Sequence, residues 1–282
     1  MTLAPTRTRA RRTDAPGTLA VGAEVVRQAL GERRTTVGVF SAVVIGMSLM
    51  VGGMWPSMQD TLAEMADVLP PAFDAMMAGA DLGTATGWVN AELFSMVAPG
   101  CLIAVGIISA VRSTAGEEDG KTLGMLLGAP VGRSTFLAAK AAAMLLHVAL
   151  VGVAAVVGLL LADLVGGLGL SLGGILSLVL HTCLLAALFG AIALALGAGT
   201  GSRRIAYAVA AGLATAAFLA AGFLPLVDSL AGGAELSPWY WFNATDPLVN
   251  GVDPAHAGLL AGSTLAVLLL AIPAFRRRDL SG

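Results

Sequence analysis

Six stretches of this chain contain no charged side chain: 35–54, 93–111, 141–162, 172–196, 205–227 and 257–275. Each has roughly the 20 residues an α-helix needs to cross the hydrocarbon of a bilayer. Lipid offers no partner to an open backbone N–H or C=O, so segments of this kind are forced into helices, and the alternation of a β-barrel is absent. Between the third and fourth windows, Gly166-Gly167-Leu168-Gly169 reads as a turn and separates them. The composition agrees: 57% of residues are apolar and 12% are charged, with a mean hydropathy of +0.84. A soluble domain carries about 25% charged residues. An ordinary cytosolic enzyme, a disordered chain and a nucleic-acid binder are excluded on this ground. Cys101 and Cys183 lie inside apolar runs and form neither a disulfide framework nor a zinc motif.

The basic residues set the orientation. All sixteen fall in four places: the N-terminal segment, the loop between the second and third spans (Arg112, Lys121, Arg133, Lys140), the next loop but one (Arg203, Arg204) and the C-terminus (Arg276, Arg277, Arg278). Six crossings put those four places on one side. The other side carries acids instead, among them Asp60, Asp163, Asp246 and Asp253. The positive-inside rule then places both termini in the cytoplasm of a multi-pass plasma-membrane protein. Trp55, Trp88, Trp239 and Trp241 all fall toward the outer side, as an interfacial aromatic belt would have them.

Outside the spans, residues 1–16 read as a basic tail, and 18–34 as an amphipathic helix lying on the membrane, with Leu19, Ala23, Val26 and Leu30 on one face. The domain reading is therefore a cytoplasmic tail and surface helix over 1–34, a six-span domain over 35–275 and a cytoplasmic terminus over 276–282. Two outer segments, 55–92 and 228–256, are too long for turns. Their prolines and apolar anchors predict short helices on or in the outer leaflet, which either cap a pathway or shield helix ends.

The inner loop RSTAGEEDGKTLGMLLGAPVGRSTFLAAK, residues 112–140, is the most informative segment. Glu117, Glu118 and Asp119 suit a helix N-terminus. Leu123, Met125, Leu126 and Leu127 then supply apolar knobs before Pro130. A short helix of this kind offers a soluble partner both charge and grip. AGEEDGKT nearly spells a phosphate-binding loop, but Ala115 stands where a glycine is required, and three carboxylates would face the phosphates. The chain is expected to bind no ATP of its own and to be no enzyme.

This loop, read as Ala115-Gly116-Glu117-Glu118-x-Gly120-x-Thr122-Leu123-x-x-Leu126-Leu127-x-x-Pro130-Val131-x-Arg133, resembles the type-2 permease subunits of ATP-binding-cassette (ABC) exporters, whose usual form is GEExxGTLxxLLxxPVxR. GWVNAELFSMV at 87–97, Ser237-Pro238 with Asp246-Pro247 and Gly251, and the ending Phe275, Arg277-Arg278-Asp279-Leu280 resemble the same family. Lys121 and Gly132 depart from the pattern, where Thr and Ser are usual. The resemblance implies an all-α membrane fold of six transmembrane helices, with an N-terminal elbow helix and a cytoplasmic coupling helix between spans two and three. It implies pairing with a second permease copy or paralogue, and docking on separate ABC ATPase subunits that bind ATP and Mg. The residues it carries over as coupling-helix contacts are Glu117, Glu118, Gly120, Thr122, Leu123, Leu126, Leu127, Pro130 and Arg133. No catalytic residue and no metal ligand is expected.

Few polar residues lie at membrane depth. His147 and His181 are read as hydrogen-bonded across helix interfaces, Gly52-Gly53 as a close helix contact, and Met47, Met50, Met54 and Met58 as a packing stripe rather than soft-metal ligands. Three other readings compete. An intramembrane protease would use Glu117-Glu118, but the pair lies in a loop and the histidines are scattered. A secondary transporter working without ATP would show an internal repeat or midplane charge. A permease for copper-enzyme maturation is permitted by the methionines but not argued by them.

Overall fold

The structure, a computed structural model, describes residue 31 and residues 33–66, 83–114 and 133–277. The described residues form helices and turns, with no strand among them. In chain order the helices are α1 (Arg34–Ala66), α2 (Ala85–Val89), a π-helical turn (Asn90–Phe94), α3 (Val97–Arg112), α4 (Arg133–Gly166), α5 (Leu172–Thr200) and α6 (Arg203–Phe223). Two 3-10 turns follow (Leu224–Leu226 and Ala231–Leu236), then α7 (Pro238–Asn243), α8 (Pro247–Asn250) and α9 (Pro254–Arg277). Six helices are long and apolar enough to cross a membrane: α1, α2 with α3, α4, α5, α6 and α9. The expected all-α, six-span class is the observed one. The expected surface helix over 18–34 falls almost wholly outside the described residues, as does the loop 115–132.

The helices outrun the uncharged windows. α1 and α4 have 33 and 34 residues, about 50 Å at 1.5 Å per residue, against about 30 Å of hydrocarbon. A charge ends a lipid-compatible stretch, but not a helix whose next turn reaches headgroups or water. α1 therefore continues past Trp55 and keeps Pro56 inside it. The second crossing begins at Ala85 rather than at 93. The start of α5 at Leu172 is where the glycine turn placed it. Gly167 and Gly169 there have φ of +61° and +69°, which glycine adopts at no steric cost. Asp163 accepts the Leu170 N–H at 3.0 Å across the turn. Ser171 Oγ caps α5 by accepting from the Gly174 N–H.

α5 is the axis of the bundle. It is apolar all round and packs against α3, α4, α6, α7, α8 and α9. Small residues set the closest approaches, as they do where lipid provides no hydrophobic force between helices. A Cβ on Gly106 of α3 would lie 2.9 Å from the Ala186 carbonyl oxygen of α5. One on Gly190 would lie 2.7 Å from the Met144 sulfur of α4. α1 lies along α4, with Gly52 against Ala162 and Gly158 against Ser48. Those two contacts advance together, so α1 and α4 run the same way. Gly152 meets Cys183 while Met144 meets Gly190, so α4 and α5 run oppositely. Gly52 is thus the close contact expected of it, whereas nothing lies within 4 Å of a Cβ on Gly53. The reversals bring Arg34, Arg112, Arg133, Arg203, Arg204 and Arg277 to one end of the bundle, called the basic end below. Asp60, Asp163, Asp246 and Asp253 belong to the other, the acidic end.

Candidate functional site

At the basic end, the expected contact residues Glu117, Glu118, Gly120, Thr122, Leu123, Leu126, Leu127 and Pro130 lie outside the described residues, and Arg133 opens α4. The helices that carry this loop are firmly seated. Ser113 and Thr114, which follow α3, are buried, and both hydroxyls donate to the Ala110 carbonyl, at 3.1 and 2.9 Å. Lys140, two turns into α4, differs from its expected place at a loop boundary: it is 4% exposed. Its ammonium stands 5.2 Å from the centroid of Phe136, and Phe136 stacks on Phe275 of α9 at 6.2 Å. An aromatic face stabilises a cation that packing has taken from water. The loop's exit is therefore tied to the end of the last span.

The acidic end is cross-braced. The π-turn, a rare form often found at functional sites, brings Asn90 under the segment that follows α7. Asn90 Nδ2 donates to Asp246 Oδ1 at 2.9 Å, joining residues 156 apart in sequence. Asp246 has φ of +45°, the one positive value at a non-glycine position among the described residues. Aspartate tolerates this region better than most residues. Pro247 fixes the next step and opens α8. The carboxylate does not cap α8 and is turned to Asn90 instead. Pro247 and Leu248 are buried, and the Leu248 carbonyl sits directly over Gly174 of α5, where no Cβ would fit. Buried beside this contact, Asn90 Oδ1, Asn243 Oδ1 and Thr245 Oγ1 have no hydrogen-bond partner.

Trp88, Trp239 and Trp55 also lie here, but buried among helices and not in a lipid-facing belt. Trp88 Nε1 donates to the Val51 carbonyl at 3.0 Å and its ring lies 6.5 Å from that of Trp55. Trp239 meets Phe218 of α6 and Phe242 edge-on. The indoles are amphipathic in either setting; here the helices, not the headgroups, take their apolar faces. Ser237 Oγ donates to the Ala217 carbonyl at 2.7 Å, pinning α7 to α6. The short helices expected over 228–256 are present.

A shallow, open cleft beside α8 is lined by Thr245, Asn250, Gly251, Val252, Asp253 and Pro254. On its rim Asp253 accepts the His256 and Ala255 backbone N–H groups at 3.1 and 2.8 Å. These bonds, the one from His256 above all, hold its carboxyl below the usual carboxylate range.

The histidines occupy separate settings. His147 Nδ1 lies 2.6 Å from Ser109 Oγ across the α3–α4 interface, as expected. The pair has the spacing of a nucleophile and its base. Both side chains are sealed inside the bundle, and His147 Nε2 has no partner to orient the ring. It is a helix-interface bond. His181 instead donates from Nδ1 to the Ser177 carbonyl of its own helix, at 2.9 Å. The methionines do not share one packed face. Met47 and Met58 touch the core, and Met50 and Met54 face outward. Among the described residues no three His, Cys, Asp or Glu side chains gather into a metal site.

Comparison with curated proteins yields no match. Comparison with protein-family profiles matches the ABC-2 family transporter protein over residues 26–280. That match takes in all six crossings, the basic-end loop and the braced acidic end. The chain therefore belongs to the ABC-2 transporter family and is the membrane-spanning permease component of an ABC-type transporter.

Proposed function

We propose that this permease is half of an ABC exporter, lying in the plasma membrane with both termini in the cytoplasm and driven by ATP hydrolysis in separate nucleotide-binding subunits. The observation that carries the reading is the basic-end loop. Its sequence follows the exporter coupling pattern at Glu117, Glu118, Gly120, Thr122, Leu123, Leu126, Leu127, Pro130 and Arg133, and the residues that the family match spans include it. ATP and Mg belong to the partner, since the near-miss at AGEEDGKT has the wrong charge and lacks the first glycine. Closure of the ATPase pair would push this loop. The seated ends of α3 and α4, and the Lys140–Phe136–Phe275 cluster, would pass the motion to spans two, three and six.

A second permease copy or paralogue completes the pathway. α6 supports this reading: its outward face exposes Ala208, Ala211, Gly212 and Thr215, small residues of the kind that let membrane helices approach closely. An apolar lining suits lipophilic or amphipathic cargo. The copper-maturation and ATP-independent alternatives draw no support from the scattered histidines, cysteines and methionines among the described residues.

The test is reversal of Glu117 and Glu118 to Lys in the complex purified with its adjacent ATPase. Membrane insertion stays intact, while substrate-stimulated ATP hydrolysis and transport fall together. Unchanged coupling in the double variant, or a chain that recruits no ATPase under gentle solubilisation, overturns the proposal.

A further inference from the structure

We infer that Glu92 is a recognition site for the cationic head of an amphiphilic cargo, an amine or quaternary ammonium whose apolar body lies along span two. That span, α2 through α3, packs against α1, α4, α5 and α6 and leaves one strip open. Glu92 heads the strip. Its neighbours in the π-turn, Asn90, Ala91, Leu93 and Phe94, are buried, and Glu92 alone is turned outward. Met96, 57% exposed, follows one turn on, and Gly100, Ala104 and Ile108 continue at four-residue spacing, each half-buried. Nothing lies within 4 Å of a Cβ at Gly100, so the strip has room at its middle. The carboxylate stands inward of the outer helix ends. Gly106 meets Ala186 and Gly190 of α5. Counted outward from that contact, Glu92 falls four residues short of the start of α5 at Leu172, about 6 Å inward. An exposed charge at such a depth needs a partner or a water-lined path. The chain does not supply the partner. All sixteen lysines and arginines belong to segments that join the bundle at its basic end, and Arg112 of the same span is twenty residues away, about 30 Å. His147 and His181 are sealed in the interior, and His256 lies 3.6 Å from Asp253. A second copy of the chain brings the same charges to the same ends, so self-pairing adds an acid and not a base. The countercharge therefore comes from outside the chain, and the apolar strip that runs on from Glu92 favours an amphiphile over a hydrated ion. Met96, unbranched and polarisable, adapts to bodies of varied shape.

That the bound molecule is cargo rests on the exporter reading above, and the assay keeps the two apart. The complex with its adjacent ATPase is placed in nanodiscs of zwitterionic lipid without nucleotide. Binding of radiolabelled tetraphenylphosphonium is compared with that of triphenylphosphine oxide, an uncharged molecule of similar shape. The parent binds the cation saturably. Glu92→Gln weakens cation binding by roughly ten-fold or more, the loss that follows removal of one member of a desolvated charge pair, and changes binding of the neutral probe by less than about two-fold. Glu92→Asp keeps the charge and stays within about three-fold of the parent for both probes. Glu64→Gln, which removes an exposed acid of α1 at the same end, alters neither. If Glu92→Gln does not assemble, Met96→Lys, which sets a cation one turn away on the same strip, must produce the cation-selective loss in its stead. The site is overturned by a parent that binds no cation saturably, by a Glu92→Gln variant that matches the parent or loses both probes alike, and by an equal loss in Glu64→Gln. Transport is read separately, as ATP-driven uptake of the cation into inside-out proteoliposomes. Binding without uptake overturns the exporter reading and leaves the site, whereas uptake that Glu92→Gln leaves unchanged overturns the site alone.

Discussion

α5 and α6 are consecutive spans joined by Gly201 and Ser202, and both are apolar enough to cross a membrane. Yet 72% of the most apolar window of α5 is buried in protein, against 11% for α6. Lipid tails and a protein core are equally apolar, so apolarity does not sort one from the other; packing does. α5 touches six other helices and buries Ser177, His181 and Thr182 along with Gly174, Gly190 and Gly197. α6 buries only Ala206, Ala210 and Ala214, a single stripe with four-residue spacing. The contrast separates a spine that must fit neighbours on every side from a span whose remaining faces are left to lipid or to a second subunit.

That contrast is open to direct attack with paired substitutions. The largest effect is expected from valine at a tight backbone contact of the spine. Gly106→Val would drive a Cβ to 2.9 Å from the Ala186 carbonyl and destabilise the bundle by about 3 kcal/mol, the upper end of overpacking costs. Gly212→Val on α6, with nothing within 4 Å, leaves the single subunit unchanged. Thermal unfolding of the solubilised chain, followed by tryptophan fluorescence, measures both, and equal losses would abolish the distinction. Truncation comes next. Leu185→Ala removes a fully buried side chain of α5 and costs about 2 kcal/mol, the low end for cores because lipid shares the transfer term. Leu213→Ala on the exposed face of α6 stays within about 0.5 kcal/mol. A Leu213 loss matching that of Leu185 would mean α6 is packed within one subunit.

The smallest effect lies at the head of α9, another long neighbour of α5. Asp253 has its pKa held below the ordinary 3.8 by backbone N–H bonds. A carboxylate depressed in the folded state stabilises it at all pH values above 3.8. That contribution fades as pH falls through the lower, folded value. Amide exchange at Ala255 and His256 should therefore quicken in acid more in the parent than in Asp253→Asn, which lacks the titrating group. Identical acid responses would show that the carboxylate does not hold this turn.

Much of the architecture was legible in the residues. The uncharged windows counted the spans, Gly167 and Gly169 placed the turn before α5, and the single-sided arginines gave the alternation of direction. The helix ends were not legible, because α1 and α4 continue beyond hydrocarbon through residues that tolerate water. Lys140 was misplaced for a related reason: a charge marks a boundary by default, and only Phe136 and Phe275 reveal a buried berth for it. Trp55, Trp88 and Trp239 fell at the expected end but face helices, since an indole at that depth suits either surface. Of the candidate site, the basic-end loop was readable as a motif, while the bond from Asn90 to Asp246 was not. Each residue stood in a recognisable segment, but no local pattern links positions 156 apart.

The sequence by itself determined how many times this chain crosses the membrane and which residues share an end. Each crossing must close its own backbone hydrogen bonds within lipid, so every span is settled by its own residues. Only the tertiary structure decided that α5 is the spine, that α6 is left exposed, and that α8 seats on Gly174. Those outcomes turn on the fit of one apolar surface to another, for which neither charge nor hydropathy carries a signal.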